Sequence, residues 1–116
     1  MNESELLKAV LYKSSQNGAV LFRNQVGKYR LEDGRFLSSG LCVGSSDLIG
    51  WTTIKITQEM VGKSVAAFTA IECKSEKGRV SKEQNNFLAM VHDAGGIARI
   101  VRSMNGLRFN LTGARE

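Results

Sequence analysis

Apolar residues recur every three or four positions in two stretches of the chain, which is the spacing of an amphipathic helix. The first stretch covers residues 3–13, and the second begins after Ser81. Glycines follow both stretches, in Asn17-Gly18 and in Gly95-Gly96, as is typical of helix ends. The pattern therefore predicts two helices. Their apolar positions are Leu6, Leu7, Val10 and Leu11 in the first and Phe87, Leu88 and Val91 in the second.

The remaining apolar runs are short and separated by turns, as expected for strands. Glu32-Asp33-Gly34 contains an Asp-Gly pair and predicts a hairpin between 29–31 and 35–37. The run over 65–74 is apolar almost throughout, so we expect a central strand covered on both faces, with 97–101 returning parallel to it after the second helix. Further predictions are extended segments at 19–22 and 47–51, a Gly- and Ser-rich loop at 38–46, and a helical turn at 57–60 capped by Thr57.

The composition fits one mixed α/β domain. The 116 residues are 42% hydrophobic, and a chain of this size can bury a core without disulfide or metal staples. Two cysteines and one histidine cannot complete a four-ligand zinc site. No apolar run approaches the roughly 20 residues of a membrane span, and acids occupy the N-terminus where a signal peptide carries bases. We therefore expect a soluble, cytoplasmic protein with no membrane partner.

The charge balance favours a polyanionic partner. The net charge is +5, although excess Lys and Arg also serve as plain solubility charge. Four arginines and no acid lie between Arg99 and Glu116, so the C-terminal tail is basic.

Charged residues end the predicted central strand. Glu72 and Lys74 are two positions apart, so their side chains project from the same face of that strand. If the strand that begins at Asp47 is a neighbour, the carboxylates of Asp47 and Glu72 converge on a site suited to Mg²⁺, which requires oxygen ligands. A metal and an ammonium group placed together can hydrolyse a phosphodiester. A Glu-x-Lys triplet also occurs by chance as a solvated ion pair, but its position at the end of an apolar strand favours a functional site.

Three segments share a motif with a known nuclease family. They are Ser46-Asp47-Leu48-Ile49, Ala70-Ile71-Glu72-Cys73-Lys74 and Gly78-Arg79-Val80-Ser81-Lys82-Glu83-Gln84. Together they resemble the VRR-NUC branch of the PD-(D/E)xK, restriction-endonuclease-like nucleases, over about 3–103. Ser46 replaces the usual Pro, and Cys73 replaces the usual Val, without removing a functional group. The resemblance implies a single domain over 1–116, with a mixed central sheet flanked by helices. The chain is similar to small standalone members encoded by phages, some of which act as dimers on four-way DNA junctions.

The resemblance implies a role for each matching residue. Asp47 and Glu72 would hold Mg²⁺ or Mn²⁺, with the main-chain carbonyl of Cys73 as a further ligand. Lys74 would position the attacking water, and Gln84 would support the site from the second helix.

Gln84 also has a structural interpretation, and three further residues are candidates for DNA binding. Ser81 and Gln84 also have the spacing of a capping box, which explains both without catalysis and is compatible with a supporting role. Arg23 and Asn24 resemble the loop that lies near substrate in this branch, where they would grip phosphates. Lys82, in the first turn of the second helix, is another candidate for phosphate binding.

A third metal-binding carboxylate is expected on the first helix, because related nucleases often bring one from there. Glu3 lies three and four residues before Leu6 and Leu7, so it extends the apolar stripe, whereas Glu5 aligns with Lys8 towards solvent. We therefore expect Glu3 to be the ligand. The alternative is that Glu3 only provides a favourable first-turn charge.

The function expected from these observations is Mg²⁺-dependent endonucleolytic hydrolysis of DNA, on branched substrates such as four-way (Holliday) junctions. A homodimer is expected because one domain holds one metal site and junction resolution needs two symmetric nicks; the segment 23–44 would supply its interface. The alternatives are a non-catalytic basic nucleic-acid-binding module, or a nuclease of the same fold acting on duplex or flap DNA. A binding module has no reason to place Glu72 and Lys74 on one face.

Overall fold

A computed structural model describes residues 2–107 and 109. The rest of the predicted basic tail, including Arg108 and Arg115, lies outside the described residues. The chain divides into two compact units, Met1–Ile54 and Lys55–Glu116. Its described part contains two α-helices and six short strands in three two-stranded sheets, so the predicted mixed α/β class is confirmed. Within the described residues no helix has the length and apolar character needed to cross a bilayer.

Helix α1 of the first unit spans Glu3–Ser15, as the apolar spacing predicts. A capping box begins it: the side chain of Asn2 accepts the Glu5 N–H at 2.8 Å, and the Glu5 carboxylate accepts the Asn2 N–H at 3.3 Å. The more buried apolar positions are Leu7 and Leu11, one turn apart, whereas Leu6 is 52% exposed. Glu3 therefore extends the inner face through Leu7, four residues on, rather than through Leu6.

The first unit also contains an antiparallel strand pair, and the first strand of the pair packs beside α1. β1, Ala19–Arg23, pairs with a later strand, Leu48–Thr52, from Ala19 opposite Thr52 to Arg23 opposite Leu48. The rings of Phe22 and Trp51 lie 5.6 Å apart in a tilted arrangement and help to hold this pair together. The register places the residue that precedes the second strand, Asp47, next to the end of β1.

The predicted hairpin is present, and it is longer than the sequence indicates. β2, Gly27–Arg30, pairs antiparallel with β3, Phe36–Ser39, which makes Leu48–Thr52 the strand β4. Residues 38 and 39 thus belong to a strand and not to the predicted loop, because they pair with residues 28 and 27. Gly34 supplies the positive φ of +87° that the turn requires.

The second unit contains a parallel strand pair and one long helix. β5, Thr69–Cys73, pairs in parallel with β6, Ile97–Val101, and α2, Lys82–Asp93, connects them, as predicted. Among the described residues, the buried apolar side chains are Leu88, Val91, Ile97 and Ala98, all from α2 and β6. Gly96 allows the close approach of α2 and β5, since a Cβ there would lie 2.7 Å from the Phe68 carbonyl oxygen.

Two details of this unit differ from the sequence predictions. β5 covers only five of the ten residues expected, because its partner β6 is itself five residues long. Its exposure alternates, with Ile71 exposed and Glu72 half-buried, so β5 is not covered on both faces as expected. The turn near 57–60 is a 3₁₀ helix, Gln58–Met60, and Thr57 precedes it without a side-chain cap hydrogen bond.

Candidate active site

Glu72 and Lys74 lie on one face at the end of β5, as their spacing predicts. The Lys74 Nζ is 3.8 Å from Glu72 Oε1, and the two side chains are 21% and 31% exposed. The alternation of exposure along β5 places Cys73 on the opposite, exposed face. The strand therefore presents a carboxylate and an ammonium group together in a partly desolvated position.

Gln84 joins this pair from α2. Its Nε2 donates to Glu72 Oε1 at 2.8 Å, while its Oε1 accepts the Ser81 N–H at 2.9 Å. The Ser81 hydroxyl in turn accepts the Gln84 N–H at 3.1 Å, which completes a capping box. One amide thus caps the helix and also donates a hydrogen bond to the Glu72 carboxylate.

Asp47 belongs to a separate group in the first unit. It lines a cavity of about 400 Å³ whose polar lining includes Glu3, Arg23, Asn24 and Ser45. Glu5 does not line this cavity, because its carboxylate is engaged by Asn2 in the capping box of α1. The first helix therefore brings Glu3, not Glu5, to the cavity that contains Asp47.

Asn24 connects the end of β1 to the chain just before Asp47. Its main-chain N–H donates to the Asp47 carbonyl at 2.8 Å, and its side-chain Nδ2 donates to Ser45 Oγ at 2.7 Å and to the Ser46 carbonyl at 2.9 Å. Its Oδ1 accepts the Leu41 N–H at 2.8 Å. The structure thus gives Asn24 a role in holding the loop that precedes Asp47.

The other residues predicted to contact DNA are exposed. Arg23 ends β1 and lines the Asp47 cavity, and Lys82 is the first residue of α2, two positions before Gln84. Both are accessible to a phosphate group.

Two arginines assigned to the basic tail have structural partners instead. Arg99 is 2% exposed in β6, and its Nη1 donates to the Ala98 carbonyl at 2.9 Å. Arg102 donates from Nη1 to the carbonyls of Ser75, Glu76 and Gly78 at 2.7, 3.2 and 2.7 Å. The sequence did not predict these contacts of Arg102, because nothing in the local pattern distinguishes an arginine that binds main-chain carbonyls from one that is only solvated. Arg102 holds the turn between Lys74 and α2.

The donor atoms in both units are mainly carboxylate oxygens, which suit Mg²⁺ or Mn²⁺. Among the residues that the structure describes, no group of three or more His, Cys, Asp or Glu side chains is placed to hold a metal. Glu3 and Asp47 lie in the first unit, and Glu72 lies in the second.

A strand ending in Glu-x-Lys, supported by a glutamine from the following helix, is typical of restriction-endonuclease-like nucleases. The family model of the VRR-NUC domain matches residues 4–105 of the 116. The chain therefore belongs to the VRR-NUC family, a restriction-endonuclease-like nuclease domain, and the resemblance seen in its motifs is confirmed. Searches among curated proteins and among solved structures found no match. The domain makes the protein a nuclease with DNA as its substrate, and domains of this type usually use divalent metals.

Proposed function

We propose that the protein is a Mg²⁺- or Mn²⁺-dependent endonuclease that hydrolyses phosphodiester bonds of branched DNA such as four-way junctions. The observation that carries the proposal is the Glu72 carboxylate, held by Gln84 at 2.8 Å with the Lys74 ammonium 3.8 Å away. A structural ion pair needs no third group to orient the carboxylate. A metal ligand does, because its oxygen must be presented in one direction.

The proposed metal ligands are the carboxylates of Asp47, Glu72 and Glu3 together with the main-chain carbonyl of Cys73. All four are oxygen donors, as Mg²⁺ requires. The bound metal would polarise the scissile phosphate and make a coordinated water more acidic. Lys74 would orient the attacking water and offset the charge that develops on the phosphate.

Gln84 and the surface cations complete the proposed set. Gln84 would keep Glu72 Oε1 engaged, so that Oε2 is the oxygen presented to the metal. Arg23 and Lys82 would bind DNA phosphates, and Lys82 has the added advantage of the first turn of α2, where main-chain N–H groups favour anions. Asn24, predicted to grip phosphate beside Arg23, has its amide engaged by the loop before Asp47.

A homodimer is proposed because two symmetric nicks require two copies of one site. The hairpin β2–β3 offers an apolar face for it. Tyr29 and Leu37 lie opposite each other on that face and are 48% and 54% exposed.

The proposal is tested with purified protein on four-way, flap and linear DNA, with Mg²⁺ or with a chelator. We expect the four-way junction to be cut when Mg²⁺ is present and to remain uncut with the chelator. Alanine at Asp47, Glu72 or Lys74 should lower cleavage by about 100-fold or more, while DNA binding in a gel-shift assay with Ca²⁺ is largely retained, because phosphate contacts come from other Lys and Arg residues.

Each alternative gives a different outcome. A protein that binds junction DNA but never cuts it is a binding module. Equal cutting of linear and branched DNA indicates a nuclease without structure specificity. If Glu72→Ala, purified free of host nuclease, cuts at the wild-type rate, the site assignment is wrong.

A further inference from the structure

The side chain of Asn24 is almost fully used inside the protein. An asparagine amide has two N–H donors and one oxygen. Here Nδ2 donates to Ser45 Oγ and to the Ser46 carbonyl, and Oδ1 accepts the Leu41 N–H, with all three distances between 2.7 and 2.9 Å. A phosphate oxygen needs a donor, and both donors are already engaged. Asn24 is therefore poorly suited to the phosphate contact that its sequence position indicates.

The three bonds connect a closed loop to the end of β1. Within the segment 41–46, the Ser45 hydroxyl donates to the Cys42 carbonyl at 2.6 Å, so the loop is closed on itself. Gly40 and Gly44 have φ angles of +85° and +86°, and glycine has the greatest freedom to leave such a conformation. The amide of Asn24 ties this loop to the end of β1.

Asp47 directly follows the segment that Asn24 holds. The Asn24 main-chain N–H bonds to the Asp47 carbonyl, and the side chain bonds to the carbonyl of Ser46, one residue earlier. Two consecutive carbonyls are thus fixed by one residue. This sets the direction in which the chain enters β4 and hence the origin of the Asp47 side chain.

We propose that Asn24 is a positioning residue for Asp47: its amide fixes the main chain at Ser45 and Ser46 and does not contact DNA. The inference rests on the proposed function, because it takes Asp47 as part of the cleavage site. A displacement of about 1 Å in a catalytic group can lower a rate by about 100-fold, so loss of the amide bonds acts on catalysis while substrate affinity is kept.

The test compares Asn24→Ala with Arg23→Ala, its neighbour in the same cavity. For Asn24→Ala we expect kcat at saturating DNA to fall by about 10- to 100-fold, a higher Mg²⁺ concentration for half-maximal rate, and a DNA Kd within about twofold of wild type. Arg23→Ala should mainly weaken the DNA Kd, because a phosphate contact contributes to binding.

A second variant provides a readout that does not depend on activity. Asn24→Asp keeps an oxygen for the Leu41 N–H but has no N–H to donate to the Ser46 carbonyl. Hydrogen exchange at the Leu41 amide should therefore be accelerated in Asn24→Ala and remain close to wild type in Asn24→Asp. Both variants should lose kcat, because both lose the donor to Ser46.

The proposal is overturned if Asn24→Ala raises the DNA Kd more than about fivefold and keeps kcat, since that pattern indicates a phosphate contact. It is equally overturned if kcat and the Leu41 exchange rate both stay at wild-type values. A wild-type protein that never cuts DNA refutes the proposed function and the catalytic consequence together, whereas Leu41 exchange still reports whether Asn24 holds the loop. Cutting by wild type with normal cutting by Asn24→Ala refutes only the inference about Asn24.

Discussion

Gln84 offers a substitution that separates helix capping from support of the active site. In Gln84→Glu a carboxylate oxygen can still accept the Ser81 N–H, as Gln84 Oε1 does at 2.9 Å, because glutamate also completes a capping box. The group that donates to Glu72 Oε1 at 2.8 Å is replaced by an oxygen that cannot donate. Two carboxylates then face each other where one hydrogen bond existed.

The destabilisation combines the loss of this hydrogen bond with a new repulsion. A hydrogen bond to a charged group is worth about 1.5 to 3 kcal/mol. Repulsion between two carboxylates about 4 Å apart adds about 1 kcal/mol in water and about 4 kcal/mol near a protein surface. Because the Glu72 side chain is 31% exposed, solvent screens both contributions, and the lower ends apply. We expect the free energy of unfolding to fall by about 2.5 kcal/mol without Mg²⁺.

Urea unfolding followed by circular dichroism measures this loss, with and without Mg²⁺. A cation bound between the two carboxylates offsets their repulsion, so Mg²⁺ should recover more stability in Gln84→Glu than in Gln84→Ala. Gln84→Ala is the matched control, since it loses the side-chain acceptor for the Ser81 N–H and the donor to Glu72 without adding charge. Junction cleavage should fall about 10-fold or more in Gln84→Glu at low Mg²⁺, because Glu72 is no longer held in one direction.

The reasoning about Gln84 is refuted if Gln84→Glu unfolds at the wild-type urea concentration and cuts at the wild-type rate at low Mg²⁺. In that case the bond from Nε2 to Glu72 contributes nothing to stability or to the site. The helix itself should remain intact in Gln84→Glu, and a lost helical signal would show that the cap was not preserved.

Three further predictions concern other parts of the chain. Glu3→Gln should raise the Mg²⁺ concentration needed for cleavage. Glu5→Gln keeps an acceptor for the Asn2 N–H and should match wild type in a Mg²⁺ titration. The reverse ranking would show that the wrong face of α1 has been assigned to the site. Arg102→Ala removes the donor to three carbonyls of the turn 75–78 and should cost about 1 to 3 kcal/mol in urea unfolding, with partial recovery in Arg102→Lys; an unchanged midpoint would contradict this role of Arg102. Leu37→Glu should convert the proposed dimer to a monomer in light scattering while Ser38→Glu, on the other hairpin face, stays dimeric, and a monomeric wild type would exclude the dimer.

Local patterns were sufficient for the elements that depend on neighbouring residues. The helical spacing of Leu7 and Leu11, the Asp33-Gly34 turn and the Ser81 capping signal each act within a few positions along the chain. The shared face of Glu72 and Lys74 has the same origin, because alternation along a strand is a property of the backbone. These features could be predicted from the sequence for that reason.

The roles that only the tertiary structure decided depend on contacts between distant residues. Asn24 bonds to Leu41 across 17 positions, and Arg102 bonds to Ser75 across 27. Asparagine and arginine are both residue types that often contact nucleic acids. No local pattern shows that a loop or turn will place carbonyl groups around their donors. The length of β5 is likewise set by its partner β6, not by its own apolar run. A polar side chain is assigned to solvent, substrate or structure by the acceptors that the folded chain brings to it, and those come from elsewhere in the sequence.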